Sequence, residues 1–247
     1  MLALFKQTWK TFASAPGAVA LCSIPALVGD IANDFVSTED WQNQWAMAAY
    51  LFVATCFAGF FFEWSNASFF LWVERRAKGE PARAIDSLLA GLKTSVRWYP
   101  AVLLALLLIF IGTPLVLPTI YFMTVFAFST PAAISFPQGK PLSALVYSRN
   151  LVSWRIFPWV CLLIVFEVGL EFGLNESLSR YLSHAVPTVW LEFSVKIASV
   201  FYHSWVCVFL ALLFLKLRRD REQIHFRNSG TSGAEKPSMG GAPLPPP

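Results

Sequence analysis

The chain has 247 residues, of which 56% are hydrophobic and only 14% charged, and its mean hydropathy is +0.54. Soluble domains carry roughly 25% charged residues, so this composition excludes an ordinary water-soluble domain. The net charge of +4 does not mark a nucleic-acid binder, because the basic residues collect at the edges of apolar segments.

Taken in chain order, the first residues place Leu4, Phe5, Trp9 and Phe12 among Lys6 and Lys10, the pattern of a short amphipathic helix on a membrane surface. A first span follows over about 11–35, uncharged from Thr11 to Gly29 and interrupted by Pro16, Gly17 and Pro25. Two lysines before an apolar stretch would also suit a signal peptide. The downstream run Val28-Gly29-Asp30-Ile31-Ala32-Asn33 offers no small-residue cleavage site, so an uncleaved span is expected. Asp30, Asp34, Glu39 and Asp40 precede a second span over about 45–73.

The next segment carries Arg75, Arg76, Lys78, Arg83, Lys93 and Arg97. Within it, Ile85, Leu88, Leu89, Leu92 and Val96 recur at helical spacing, which predicts an amphipathic helix over Pro81–Trp98 lying flat on the inner leaflet. From Trp98 to Gly139 there is no Asp, Glu, Lys or Arg. As one helix that stretch would reach roughly 60 Å, about twice the thickness of a bilayer core. It is expected to fold back at Thr113–Pro118, giving spans over about 99–117 and 119–136. Pro141–Trp154, with Leu142, Leu145, Val146 and Val152, reads as a further interfacial helix. Gly79, Pro81, Ala84 and Ile85 match Gly139, Pro141, Ala144 and Leu145 in spacing, as an internal duplication or a shared loop constraint would produce. Spans over about 156–174 and 190–215 follow. The Gly-, Ser- and Pro-rich segment 228–247 reads as a disordered tail after a membrane domain over 1–227.

The fold class expected is therefore all-α integral membrane, with six transmembrane helices and cytoplasmic amphipathic interfacial helices. Even apolar runs of this length do not suit barrel strands, which alternate. Of the 19 basic residues only Arg180 falls in an outer loop and only Lys196 within a span. Both termini and both basic loops are thus expected in the cytoplasm, and the chain in the inner cell membrane. Trp41, Trp45 and Trp190 mark the outer boundary; Trp72, Trp98, Trp154 and Trp159 mark the inner one.

Cys22, Cys56, Cys161 and Cys207 lie far apart in apolar runs, with no CxxC, so neither a disulfide framework nor a metal knuckle is indicated. No cofactor motif and no metal-ligand spacing is present. The chemistry-bearing candidates are titratable side chains at membrane depth, where charge is costly and often functional. Glu167, Glu171, Glu192 and Lys196 fall in the outer halves of the last two spans and are expected to converge, as a structural polar knot or as a binding site. Glu63 and His203 are secondary candidates.

The segment Leu115–Phe157 carries Pro118, an aromatic-rich stretch with Tyr121, an internal Pro131 and Gly139 before a short helix with Ala144-Leu145 and Ser148. Leu151 and Trp154-Arg155 then lead into the next span. This pattern resembles the membrane domain of the glycerophosphodiester phosphodiesterase membrane-domain family and related six-helix bacterial membrane proteins. Thr119 and Phe136-Pro137 depart from it. The resemblance implies fold and location, not phosphodiesterase activity, since in the fused enzymes that chemistry resides in a separate barrel domain. Three function classes follow: a non-catalytic membrane protein that organises or partners, a small secondary transporter, and an intramembrane lipid-modifying enzyme. The expected partners are the bilayer and anionic inner-leaflet lipid, with no nucleic acid. A homo-oligomer is compatible with the pattern, and nothing in it names a protein partner.

Overall fold

A computed structural model describes residues 1–34, 44–112, 116–136, 141–167, 169 and 188–230. Among them every regular element is a helix: α1 Leu2–Ala13, α2 Pro16–Asp34, α3 Gln44–Ala77, α4 Ala84–Gly112, α5 Val116–Phe126, α6 Ser129–Ser135, α7 Pro141–Leu151, α8 Phe157–Glu167 and α9 Thr188–Gly230. Leu117–Ser135 and Phe193–Gln223 are long and apolar enough to cross a bilayer, and a third crossing exists if α1 and α2, bent by 93°, count as one broken span. Six crossings go beyond these two or three. The acidic stretch 35–43, much of the expected hairpin turn, Gly139 and most of the tail lie outside the described residues. The backbone of α9 continues helical through Gly230, past the expected start of that tail.

The core is apolar, with Phe69, Phe70, Trp72, Phe128 and Phe214 fully buried, and Ser65, Ser68, Ser87, Ser95, Ser148, Ser204 and Thr124 are buried with them, while many large apolar side chains also stand outside. The exposed ones recur at helical spacing: Leu21, Ile24, Val28 and Ile31 on α2, Val53 and Phe57 on α3, Ile85, Leu89 and Val96 on α4, and Phe193, Ile197 and Phe201 on α9. Several buried hydroxyls satisfy themselves on the carbonyl one turn back, as Ser68 does on Trp64, Thr124 on Ile120 and Ser204 on Val200. A hydroxyl bonded in this way adds little polarity to a helix contact and takes little room.

The seam between α3 and α4 corrects one expectation. Pro81–Trp98 is not a separate flat helix: α4 runs unbroken from Ala84 to Gly112, through Pro100, and lies along α3. The reason is the opposite face of the segment. Ser87, Gly91 and Ser95 point inward, and a Cβ on Gly91 would fall 2.3 Å from Ser68 Oγ. Only a small-residue face permits that approach, so the apolar face with Ile85, Leu89 and Val96 is turned outward. Trp64 Nε1 donates to the Leu88 carbonyl at 2.8 Å and pins the register. The two helices join through Gly79 at φ 74, with Glu80 N bonded to Arg75 O and Gly79 N to Arg76 O, a Schellman ending that requires a left-handed residue.

By contrast α1 is a distinct helix, as its amphipathic pattern suggests. Its Leu4, Thr8 and Phe12 are buried, and Phe5 and Trp9 meet Trp205 of α9. Arg76 donates to Ser14 Oγ at 2.8 Å and ties the α1–α2 corner to the end of α3. Pro118 and Pro131 sit in the first turns of α5 and α6, where a missing N–H costs nothing. The break between these helices is spliced by Ser148 of α7, which donates to Val125 O at 2.7 Å and accepts from Phe128 N at 3.1 Å.

Candidate functional site

Glu63 of α3 faces α4, α6 and α7, and only 7% of it is exposed. The Thr130 hydroxyl, in the first turn of α6, is 2.7 Å from Oε1 and 2.8 Å from Oε2. With one proton, it donates to one carboxyl oxygen at a time. Asn66 stands one turn along α3 from Glu63. Beside the carboxyl is a cavity of about 10 Å³, the room of a single water, lined also by Trp98, Val102, Ser129, Ala133, Ala144 and Leu145.

Further polar contacts lie away from that cavity. Cys207 Sγ donates to Asn66 Oδ1 at 2.7 Å and stands 3.4 Å from His203 Nε2. His203 Nδ1 is 2.6 Å from Glu167 Oε1. Phe62 closes the imidazole edge-on, with ring centroids 5.2 Å apart. Two polar sets result, one turn of α3 apart: Thr130 with Glu63, and Asn66, Cys207, His203 and Glu167 linked across α3, α9 and α8. The hydrogen inventory of the second set is constrained. If the thiol proton goes to Asn66, the sulfur accepts from Nε2–H, and one proton is shared between Nδ1 and the Glu167 carboxyl. If Nδ1 keeps its proton for Glu167, a neutral imidazole turns a bare Nε2 toward the thiol.

A further polar cluster sits apart. Lys196 Nζ lies 3.6 Å from Asp30 Oδ2 and 3.5 Å from the Asp30 carbonyl, joining α9 to the C-terminal end of α2. Between the clusters, Ser23 and Ser204 share a 2.6 Å hydrogen bond. The structure therefore pairs Glu167 with His203 and Lys196 with Asp30. Of the four residues expected to converge, Glu171 lies outside the described residues, and Glu192 is placed on α9 by its backbone alone. Glu63, read from sequence as separate from His203, lies one turn of α3 from Asn66, which Cys207 links to His203.

Sequence reasoning missed Thr130, Asn66, Cys207 and Asp30 as partners. Half of the signal was present: Glu63 and Asn66 are three residues apart and His203 and Cys207 four, so each pair shares a helix face. The contacts across helices had no such periodic mark. Among the described residues, no three His, Cys, Asp or Glu side chains converge as metal ligands would. No family model matches the chain, no curated protein matches it, and no solved structure matches it.

Proposed function

We propose that the chain is a six-span integral membrane protein of the inner cell membrane, non-catalytic, that organises or partners with other components of that membrane. The observation that carries the membrane reading is the set of long apolar stripes left outside on α2, α3, α4 and α9, around a core that is itself apolar. The six crossings would be α2, α3, α4, α5 with α6, α8 with the residues that follow it, and α9. The likeness of Leu115–Phe157 to the glycerophosphodiester phosphodiesterase membrane-domain family supports the fold and the location. The organising role is supported by the enclosure of Glu63, beside which there is room for little more than one water. Anionic inner-leaflet lipid is the expected partner of α1, where Lys6 and Lys10 flank exposed Leu2, Phe5 and Trp9.

A second reading, a small proton-coupled transporter, is favoured by the linked polar groups from Glu167 to Asn66, which end one turn of α3 from buried Glu63. Two measurements test these readings. Single cysteines at Lys78 and Lys140 should label only from the cytoplasmic side and one at Thr38 only from outside; the reverse at any of the three sites overturns the threading. Vesicles holding the protein and an internal pH dye should leak protons no faster than empty ones. A leak that Glu63→Gln abolishes transfers the case to the transporter.

A further inference from the structure

We propose that Cys207 is an activated nucleophilic thiol, with His203 as its base and Glu167 as the residue that positions the imidazole, and that it takes apolar α,β-unsaturated carbonyl compounds dissolved in the bilayer. The geometry is that of a nucleophile–base–orienter triad: Sγ to Nε2 3.4 Å, Nδ1 to the Glu167 carboxyl 2.6 Å. Glu167 favours the tautomer with its proton on Nδ1, which leaves Nε2 bare to accept the thiol proton. At rest the single thiol proton is given to Asn66 Oδ1, 2.7 Å away, and it turns to Nε2 when the base takes it. Among the described residues, Cys207 is the thiol with an imidazole in hydrogen-bond reach. Cys22, wholly buried, donates nothing to a base, and Cys56 and Cys161 are half-buried on other helices.

Access comes from the seam between α8 and α9. Cys207 itself is 7% exposed, but the side chains of His203 and Glu167 are 16% and 26% exposed there. A small apolar molecule partitioned into lipid reaches that seam without leaving the apolar phase, and a charged reagent does not. The step is an addition. The Sγ–Cβ bond forms as the C=C π pair moves to the α-carbon. The thiol proton passes to His203 Nε2 and from it to that carbon. No oxidant and no leaving group is needed. The adduct removes the S–H donor to Asn66, which severs the polar link between α9 and α3.

The four thiols supply their own controls. The intact protein in lipid nanodiscs is treated with N-ethylmaleimide, and separately with 2-nonenal, and each cysteine is followed by mass spectrometry. Cys207 should label first, about tenfold or more ahead of Cys56 and Cys161, although both of those are more exposed. His203→Gln should slow Cys207 by a similar factor and leave Cys56 and Cys161 unchanged. Direction separates base from brace: a His203 that merely held the helices together would, once replaced, open the seam and speed Cys207 labelling. That acceleration overturns the proposal, and so does Cys56 or Cys161 leading in the native protein, a result independent of whether the variant folds. Glu167→Gln should slow Cys207 less than His203→Gln does, since the amide still bonds the ring.

Discussion

Lys196 and Asp30 set opposite charges 3.6 Å apart with 20% and 15% of their side chains exposed, whereas Glu63 is 7% exposed and is met by the Thr130 hydroxyl. In the first cluster each group is answered by charge and still touches the exterior. In the second the partner is neutral and enclosed. The difference teaches that tolerance to substitution here follows enclosure. An exposed ion can re-solvate when its partner is lost; an enclosed polar group cannot.

Thr130→Val is the sharpest way to break this contrast. Valine has the shape of threonine but no donor, so the Glu63 carboxyl loses the group facing both its oxygens. The expected loss of stability is about 2 kcal/mol, the cost of leaving a buried polar atom unsatisfied. Glu63→Gln, which keeps hydrogen-bonding atoms at the same place, should cost under about 1 kcal/mol. Thermal unfolding in lipid nanodiscs measures both; equal losses would mean that the carboxyl, not its enclosure, matters.

Ser148→Ala comes next. It strips the splice between α5 and α6, leaving Val125 O and Phe128 N without their shared hydroxyl, and Thr130 stands two residues beyond that splice. A loss of about 1.5 kcal/mol is expected. It should be smaller when Thr130→Val is already present, because both changes loosen the same α6 turn. Full additivity in the double variant would separate the splice from the Glu63 site.

The sequence made the helical class readable, because apolar runs and charge gaps are one-dimensional signals. It misled at Pro81–Trp98. There the apolar periodicity was real, but periodicity does not say whether the apolar face meets lipid from a flat helix or from an upright one. Gly91, Ser87 and Ser95 decided that through their smallness, a weaker mark than hydrophobicity. Glu167, Glu171 and Glu192 were the partners expected for Lys196 by order along the chain; α2, first of the long helices, also brings Asp30 to it. Which helices pack side by side depends on shape, and titratable residues follow that choice without dictating it.

Lys196→Met tests the milder cluster. It should cost about 1 kcal/mol, with part of the loss returned by adding Asp30→Asn, since the second change removes the charge left behind. Chemical or thermal unfolding of the two single variants and the double variant gives the coupling. A double variant no better than Lys196→Met alone would show that Asp30 is answered elsewhere.

The smallest effect belongs to Lys78→Ala at the α3–α4 turn. Lys78 Nζ and Glu74 Oε1 are 3.0 Å apart, closer than Lys196 and Asp30 at 3.6 Å, but 57% of the Lys78 side chain is exposed. Ranked by distance, this pair would matter more than Lys196 with Asp30. Ranked by enclosure, it matters less, because solvent screens the attraction and holding a long side chain in place costs entropy. The expected loss is under about 0.5 kcal/mol, and added salt should erase most of it. The turn itself rests on the Gly79 ending, which the substitution leaves alone. If Lys78→Ala lowers the unfolding temperature more than Lys196→Met does, then separation between charges governs these pairs and enclosure does not, and the ordering from Thr130 downward fails with it.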